Sequence, residues 1–540
     1  MPTFVVKIEK LRYAYQKKAG PWVLDGLNLK IRPYEYLLIC GASGSGKSTL
    51  CRTFNGLIPH FYGGTLQGDV HVAGLTTANQ TISDLFVHVG MVFQNSEAQL
   101  FNRTVSHEIA FGLESLGLQS AEISKRITET AEMINIVNLL PRNPHELSGG
   151  EQQLVSIAAI LATQPQLIVL DEPYANLDPT NVKQVRMALK SIQQQGITVV
   201  ISEHRLPYTV ADVQRMAVLH QGRIILDGPP DKVLNQDVET FGLTLPLAVH
   251  VGQRIGLDQL PLNVTELKSA APTQAFPPDL QPVLPKPPST EGATVLAVDR
   301  ISFIINKSTI LHDVSFTLRQ GECIAVVGAN GAGKTTLIKH LNGLNRPSQG
   351  RVKVMGQDTR QTKVSQLARH VGVAFQNPNN QFFKLSVWDE IVVGAKALDC
   401  YDEAWLKKLV RLFHLEPLLN HAPYRLSGGE KKRVAFAAAL AAKPSIFIMD
   451  EPTSGQDRHF RRSLGNLLSE LRELGQAILL ITHDLSFAEQ HAHRWLLLAE
   501  GQVVAEGPPW QVMANETAMR RASLEPTEAF QLYAATAAQT

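Results

Sequence analysis

Short apolar runs that lead directly into glycine, acidic residues or histidine recur along the chain. Residues 36–40 (YLLIC) precede a glycine-rich segment, and residues 167–170 and 446–449 each precede an Asp-Glu pair. Two further runs, 197–202 and 477–482, are closely followed by a lone histidine. These lengths fit buried strands and fall short of the ~20 apolar residues that a membrane-spanning helix needs. The pattern therefore predicts a series of buried strands, each leading into a motif.

The same ordered set of motifs occurs twice. GASGSGKST at 41–49 recurs as GANGAGKTT at 328–336, and LSGGE at 147–151 recurs at 426–430. The lysines of the first pair lie 287 residues apart, and the serines of the second lie 279 apart. An FQN tripeptide, the Asp-Glu pair and the lone histidine repeat at similar offsets. Such agreement indicates a duplicated and fused gene, with two small deletions in the second copy.

The two copies are separated by a proline-rich segment, residues 271–288, which cannot form a core and is expected to be extended. We predict a first domain with a C-terminal extension, a linker, a second domain and a C-terminal tail, which is polar and alanine-rich after Arg520 and is expected to fray there. The corresponding boundaries are 1–265, 266–293, 294–512 and 513–540.

Composition excludes several classes of protein. The 540 residues carry a net charge of +2 and are 44% hydrophobic, which argues against a disordered chain and against a dedicated nucleic-acid binder. None of the four cysteines has CxxC spacing, so a zinc ribbon or iron–sulfur site is not expected. The N-terminus lacks the layout of a signal peptide. A membrane role would therefore require a partner.

The glycine-rich segments match G-x-x-x-x-G-K-[ST], the phosphate-binding P-loop. Backbone N–H groups and a helix N-terminus would bind the phosphates of ATP. Lys47 and Lys334 would reach the β- and γ-phosphates, and Ser48 and Thr335 would bind Mg²⁺. The residues predicted to bind ATP in the two loops are Gly41, Ser43, Gly44, Gly46, Lys47, Ser48, Thr49, Gly328, Asn330, Gly331, Gly333, Lys334, Thr335 and Thr336.

The paired acids and the LSGGE motif complete the predicted chemistry. Asp171 and Asp450 would bind Mg²⁺, and Glu172 and Glu451 would orient or activate the attacking water. LSGGE predicts a turn at a helix start that binds anions. Because each half already has a P-loop, we expect each LSGGE to close the ATP site of the other half. Its contributing residues are Ser148, Gly149, Gly150, Ser427, Gly428 and Gly429.

In this order, the motifs of both halves resemble those of ATP-binding-cassette (ABC) ATPases. The resemblance implies an α/β fold of two tandem P-loop NTPase domains, each with a mainly parallel sheet, an antiparallel β subdomain and a helical subdomain. It also implies Mg²⁺-sensing Q-loop glutamines, catalytic switch histidines that contact the γ-phosphate, D-loop acids and an aromatic platform for adenine. These residues are Gln94 and Gln376, His204 and His483, Asp178 and Asp457, and Tyr15.

The two halves depart from one another. Ile305 stands where the first half has Tyr15, although Phe303 lies nearby, and Leu154 replaces the basic residue found as Arg433 in the second half. The D-loops read ANLD and SGQD. We therefore predict two unequal sites, neither of them inactive.

Residues 93–112 and 375–394 resemble the corresponding segment of energy-coupling-factor ATPases, which serve bacterial vitamin and metal importers. Residues 241–257 resemble that family's helical extension. The resemblance implies a transmembrane coupling subunit and a membrane-embedded substrate-binding subunit as partners, at the cytoplasmic face of a bacterial membrane. The residues expected to line a partner groove are Gln99, Phe101, Gln381 and Phe382.

A soluble tandem ABC ATPase that acts on ribosomes or nucleic acid is the alternative. Such a protein is expected to carry a basic arm or an inserted domain, and the sequence has neither.

Overall fold

A computed structural model describes residues 4–16, 20–175, 177–272, 276–277, 292–305, 307–454, 456 and 458–537. The chain divides into two compact units, residues 1–280 with 534–540 and residues 281–533. Each unit contains one six-stranded sheet, one four-stranded sheet and surrounding helices. The predicted α/β architecture is thereby confirmed.

The described residues of the first unit form ten strands. The six-stranded sheet has the order β10-β9-β3-β8-β7-β6 and is parallel except at β10, whereas the four-stranded sheet, β2-β1-β4-β5, is antiparallel. The strands are β1 (Val6–Ala14), β2 (Leu24–Ile31), β3 (Tyr36–Cys40), β4 (Thr65–Val72), β5 (Leu75–Thr76), β6 (Val89–Val92), β7 (Leu167–Asp171), β8 (Thr198–Ser202), β9 (Arg215–His220) and β10 (Arg223–Gly228).

Helices of the first unit cover the parallel sheet. Those between β6 and β7 form a separate group. They are Lys47–Phe54, Leu57–His60, Ile82–Phe86, Val105–Ser115, Ser120–Met133, Gly149–Leu161, Pro179–Gln194, Pro230–Leu234, Leu247–Arg254 and Val264–Ala270. Every residue of β3, β6, β7 and β8 is buried, as is typical of strands covered on both faces.

The second unit repeats this plan. Its sheets have the orders β16-β17-β18-β13-β19-β20 and β12-β11-β14-β15. The strands are β11 (Thr294–Ile305), β12 (Ser308–Arg319), β13 (Cys323–Val327), β14 (Gln349–Val354), β15 (Gln357–Asp358), β16 (Val371–Ala374), β17 (Ile446–Asp450), β18 (Ala477–Thr482), β19 (Arg494–Ala499) and β20 (Gln502–Gly507). The helices are Lys334–Leu341, Val364–Leu367, Val387–Ala397, Glu403–Leu412, Gly428–Leu440, Arg458–Glu473, Leu485–His491, Pro509–Ala514, Glu516–Arg521 and Glu528–Ala537.

Sheet topology brings the motifs of each half to one edge. In the first unit β3, β8, β7 and β6 are adjacent in that order, and they lead into the P-loop, the switch histidine, the Asp-Glu pair and the Q-loop glutamine. Because the carboxyl ends of parallel strands meet at the same edge, four motifs far apart in sequence converge there. The order β13-β18-β17-β16 has the same effect in the second unit.

The C-terminal segment does not fray. Residues 516–521 and 528–537 are helical, and the rings of Phe530 and Tyr533 pack against Trp510 with centroids 5.2 and 4.4 Å away. Met519 and Leu532 are buried. The expectation of fraying after Arg520 is wrong for residues 521–533, because apolar side chains there are spaced to pack against Trp510 and its neighbours.

Among the described residues, no helix is both long enough and apolar enough to cross a membrane.

The contact between β16 and the helix Gly428–Leu440 provides a test of the packing. A Cβ on Gly372 would lie 2.3 Å from the carbonyl oxygen of Ala439, whereas a Cβ on Gly394 meets nothing within 4 Å. Backbone cannot move aside as a side chain can, so we expect Gly372→Ala to cost about 2 kcal/mol and to lower the unfolding midpoint by about 4–8 °C. Calorimetry of the full chain would measure this shift.

Gly394→Ala is the matched control, because it adds the same methyl group inside a helix and should preserve or raise the midpoint. Equal midpoints for the two variants would contradict the close approach of strand and helix.

Candidate functional site

Each P-loop turns tightly between a buried strand and a helix. Gly46 and Gly333, the residues before the helices, have φ values of 107° and 100°, a region that favours glycine. A Cβ on Gly41 would lie 2.2 Å from the carbonyl oxygen of Leu219, whereas Gly44 faces open space. The remaining predicted loop residues occupy the same turns and the first helical residues: Ser43, Ser48, Thr49, Gly328, Asn330, Gly331, Thr335 and Thr336.

The P-loop lysines are buried and fold back over their loops. Lys47 Nζ donates to the carbonyl oxygens of the first two loop residues at 2.9 and 3.0 Å, and lies 3.8 Å from Glu172 Oε1. Lys334 Nζ makes the corresponding bonds at 2.7 and 3.0 Å and lies 3.7 Å from Glu451 Oε1. Each ammonium group therefore stands between the loop and a carboxylate, where a phosphate could bind it.

The aspartates that end β7 and β17 carry raised pKa values. Burial raises the pKa of Asp171, although Ser202 Oγ and Ser48 Oγ donate to Asp171 Oδ1 at 2.6 and 3.0 Å. Burial and the like charge of Glu451 raise the pKa of Asp450 to about 6. A divalent cation would relieve both effects, and a carboxylate beside a hydroxyl group offers the oxygen ligands that Mg²⁺ prefers. The residues therefore fit Mg²⁺.

In the first unit, Glu172 lies among three of the predicted residues. His204 Nδ1 and Lys47 Nζ are 3.6 and 3.8 Å from Glu172 Oε1, and Gln94 Nε2 donates to Glu172 Oε2 at 2.9 Å. Burial opposes ionisation, but the hydrogen bond and charge of His204, together with Lys47, lower the pKa of Glu172. The sheet thus brings Lys47, Gln94, Glu172 and His204 together as predicted from the sequence.

In the second unit, Glu451 is more enclosed. His483 Nδ1 lies 2.9 Å from Glu451 Oε2, which also accepts from the backbone N–H of His483 at 3.3 Å and from Thr482 Oγ1 at 3.2 Å. Burial raises the pKa of Glu451. The charge and hydrogen bonds of His483 and the charge of Lys334 outweigh this effect and lower the pKa to about 2. Gln376 is exposed, and the described contacts give it no bond to Glu451.

Each LSGGE serine caps a helix. Ser148 Oγ accepts from the N–H of Glu151 at 3.3 Å, and Ser427 Oγ accepts from that of Glu430 at 3.4 Å. In return, each glutamate accepts from the serine N–H at 2.8 Å, which completes a capping box. The helix N-termini with Gly149, Gly150, Gly428 and Gly429 thus match the expected anion-binding end.

At the position predicted to contact adenine, the first half has a tyrosine and the second half has an isoleucine. Tyr15 is 40% exposed and its hydroxyl lies 3.0 Å from Thr49 Oγ1, beside the P-loop. Ile305 is half exposed, and the Phe303 ring packs edge-on against His340 with centroids 4.6 Å apart. Tyr62, which the predicted set omits, stands edge-on to Tyr15 with centroids 6.3 Å apart.

The D-loop acids are described in one half only. Asp178 caps the helix Pro179–Gln194 by accepting from the N–H of Asn181 at 2.9 Å. Asp457 lies outside the described residues.

The segment after each Q-loop differs in part from prediction. Gln99 and Gln381 turn inward, each Oε1 accepting from the backbone N–H six residues earlier, at 2.9 and 3.5 Å. Phe101 is 61% exposed, as expected. In the second half Phe382 packs against the core, and Phe383, 69% exposed, is the exposed aromatic. The exposed aromatic of the second half is therefore Phe383 and not the predicted Phe382, and the groove itself stays a prediction.

The backbone that follows each Asp-Glu pair is held by different cations. Buried Lys432 Nζ donates to the carbonyls of Glu451, Pro452 and Ser454 at 3.1, 3.0 and 2.7 Å. Its counterpart Gln153 is buried, and its Nε2 has no hydrogen-bond partner among the described residues. The first unit instead uses an arginine, whose guanidinium donates to the carbonyl of Tyr174: this residue is Arg205.

The predicted set omits Glu203, Arg205 and Lys432, which all contact site residues. The signal lies in a comparison of the halves, because SEHR at 202–205 aligns with ITHD at 481–484, and Gln153 aligns with Lys432.

Comparison with known proteins agrees with this geometry. The sequence pattern described as ABC transporter matches residues 24–175 and 311–454. An ABC transporter ATP-binding protein of Methanosarcina acetivorans is 34% identical over 96% of this chain and 88% of its own length. A relative in Enterococcus faecalis of the same name is 34% identical over 97% and 94% of the two chains. A Bacillus subtilis protein named for HMP/thiamine import is 31% identical over 95% and 93%.

Among solved structures, the chain is similar to cbiO1 of Clostridium perfringens, described as part of an ABC transporter complex. That structure is 30% identical over 47% of this chain and 96% of its own, with a TM-score of 0.41.

Lys432 gives a pH-dependent prediction. Burial lowers its pKa to about 8, with the charges of Glu451 and Asp450 opposing. Between pH 8 and the ordinary lysine pKa, the unfolded chain binds more protons than the folded chain. The contribution of Lys432 to the free energy of unfolding is therefore constant below pH 8 and rises above it. Relative to Lys432→Met, we expect the wild type to gain about 2 kcal/mol between pH 7 and pH 9.5.

Thermal midpoints of wild type and variant at both pH values would measure the gain. Lys431→Met, at the partly exposed neighbouring lysine, is the matched control for loss of a positive charge. An unchanged difference between wild type and Lys432→Met would contradict the lowered pKa.

Proposed function

The chain belongs to the ABC transporter family, in which it is an ATP-binding ATPase, and we propose that it is the energy-coupling subunit of a bacterial importer of the energy-coupling-factor type. The observation that carries this proposal is the double set of P-loop, Asp-Glu pair, Q-loop glutamine and switch histidine at equivalent strand ends. Two such sites in one chain supply the ATP-driven step of transport.

We assign roles within the first site by position. Lys47 binds the β- and γ-phosphates, since its ammonium lies between the loop and a carboxylate. Glu172 orients the attacking water and accepts its proton, while His204 donates to the γ-phosphate. Ser48 and Asp171, with Gln94, would hold Mg²⁺, which neutralises charge on the phosphates when bound.

The second site is assigned in the same way. Lys334 binds phosphate, Glu451 acts on the water, and His483 contacts the γ-phosphate. Its Mg²⁺ ligands would be Thr335, Asp450 and Gln376.

Each LSGGE helix is proposed to complete the ATP site of the other half. Ser427 and Gly429 would serve the first P-loop, and Ser148 and Gly150 the second. The helix N-termini support this role, because free N–H groups and the helix dipole favour phosphate. Binding of ATP would close the halves and hydrolysis would reopen them. Fusion keeps the halves at high effective concentration.

An aromatic on a rigid loop in each half supports docking of a membrane partner. Buried Glu108 Oε2 accepts from the N–H groups of Phe101 and Asn102 at 3.0 and 2.8 Å. Glu390 Oε2 does the same for Phe383 and the next residue, also at 3.0 and 2.8 Å. The carboxylates fix each loop, so the exposed rings are presented without an ordering cost.

The proposed cargo is a vitamin, a vitamin precursor or a metal ion, bound by a membrane-embedded substrate subunit. Likeness to a relative named for HMP/thiamine import supports this class. We place the protein at the cytoplasmic face of the membrane, held by its transmembrane coupling subunit.

Single substitutions of the glutamates should have unequal effects. Glu172 is 15% exposed, whereas Glu451 is 6% exposed, and Glu451 Oε2 accepts two hydrogen bonds and lies 2.9 Å from His483 Nδ1. We expect Glu172→Gln to lower ATP turnover about tenfold and Glu451→Gln by less than about twofold, with the double variant inactive. Phosphate release by the full chain would measure this.

ATP affinity is the control, because a glutamine preserves shape and should leave binding intact, whereas Lys47→Ala with Lys334→Ala should abolish it. Equal losses in the two single glutamine variants would contradict the asymmetry.

The docking loops can be tested without altering the ATP sites. Phe101→Ala with Phe383→Ala should reduce recovery of membrane subunits in a tagged pull-down from solubilised bacterial membranes by about tenfold or more, since exposed aromatics at interface centres contribute most of the binding energy. ATP turnover of the purified chain should not change. Mass spectrometry identifies the subunits recovered.

Tyr34→Ala is the matched control, because this half-exposed ring lies before β3, at the opposite end of the strand from the P-loop. Recovery of a helical coupling subunit and a small hydrophobic subunit with wild type is expected. Recovery of ribosomal proteins instead would favour the soluble alternative.

A further inference from the structure

The residue before each switch histidine differs between the halves in a way that changes the catalytic carboxylate. It is Glu203 in the first unit and Thr482 in the second, and both are fully buried. Both stand at the carboxyl ends of equivalent strands, β8 and β18. The two positions are therefore matched in the fold and differ in chemistry.

In the first unit, Glu203 accepts hydrogen bonds from the backbone of the histidine loop, residues 204–205. Its Oε1 accepts from the N–H groups of His204 at 2.9 Å and Arg205 at 3.1 Å, and lies 3.4 Å from His204 Nδ1. His204 Nδ1 is 3.6 Å from Glu172, whose other oxygen accepts from Gln94 at 2.9 Å. The backbone N–H groups of residues 204 and 205 do not donate to Glu172.

In the second unit, Thr482 Oγ1 accepts from the N–H of Asp484 at 2.9 Å, and only the N–H of His483 is left to Glu451. Its Oε2 accepts from the N–H of His483 and the hydroxyl of Thr482 at 3.3 and 3.2 Å and lies 2.9 Å from His483 Nδ1, whereas its Oε1 has no hydrogen-bond partner among the described residues. A buried N–H group needs an acceptor, because leaving it unpaired costs about 1–3 kcal/mol. Without a glutamate at position 482, the catalytic carboxylate supplies that acceptor.

We infer that Glu203 is a positioning residue of the first ATP site, which accepts the N–H groups of the histidine loop and so leaves the Glu172 carboxylate available to the attacking water. The inference rests on the role proposed for Glu172. It assigns the inequality of the sites to one position, 203 against 482, in addition to the difference between Tyr15 and Ile305. A carboxylate occupied by several donors has fewer lone pairs to accept the proton of water.

The test isolates each site in the full chain. In a Glu451→Gln background, only the first site turns over, and we expect Glu203→Thr to lower its kcat about tenfold while KM for ATP changes less than about twofold. Glu203→Gln should retain most of the activity, because an amide oxygen still accepts the two N–H groups. In a Glu172→Gln background, Thr482→Glu should raise kcat of the second site.

Several outcomes would overturn the inference. An unchanged kcat in Glu203→Thr, a rise in KM alone, or equal loss in Glu203→Gln would each do so. If Glu203→Thr lowers the unfolding midpoint too far for assay, Thr482→Glu and Glu203→Gln decide the question, and a fall in kcat of the second site would overturn it. The proposed function is tested separately, because it fails if the Glu172→Gln, Glu451→Gln double variant still hydrolyses ATP.

Discussion

The structure depends on the burial of charged groups at one edge of a parallel sheet. In each unit a lysine, an aspartate and a glutamate lie where the carboxyl ends of adjacent strands meet, and each is largely removed from water. Burial disfavours every one of these charges. They are stabilised by their opposite charges and by hydrogen bonds to backbone carbonyl and N–H groups. The raised pKa of Asp450, which has Glu451 beside it, marks the place where the protein's own groups do not complete the compensation. Phosphate and a divalent cation would supply the missing partners, so the buried electrostatic imbalance favours a ligand site here.

Duplication preserves this arrangement while the surrounding residues change. The strand orders of the two units correspond one to one, and both lysines fold back over their loops with nearly equal distances. The differences lie one layer away, in the residues that satisfy backbone groups near the site. Lys432 holds three carbonyls in the second unit, whereas Arg205 holds one in the first. Both cations pair backbone carbonyls after the Asp-Glu pair from different neighbouring elements, but buried Gln153 Nε2 in the first unit is left without a hydrogen-bond partner among the described residues.

The sequence predicts well those features that backbone geometry requires. The P-loop spacing, the acids after an apolar run and the histidine after the next one identify four strand ends, and parallel topology then places them together. The direction of a side chain is harder to predict from the sequence, as Phe383 illustrates. The sequence QFF at 381–383 has two adjacent aromatics, and only the actual register of the segment decides which one is exposed. Glu203 is harder still, because a buried carboxylate at a strand end has no distinctive pattern until its hydrogen-bond partners are known.

Fusion of two halves allows one site to diverge without loss of the other. In a dimer of identical subunits any substitution appears in both sites, so a change that slows one slows both. Here the aromatic platform, the residue before the switch histidine and the cation beneath the Asp-Glu pair all differ between halves, while the phosphate-binding lysines and paired acids do not. The substitutions are thus confined to residues that tune a site and spare those that form it. Under the proposed function, a chain in which one site turned over faster than the other would separate hydrolysis from the nucleotide binding proposed to close the halves. Inequality would then be a property of the fused arrangement.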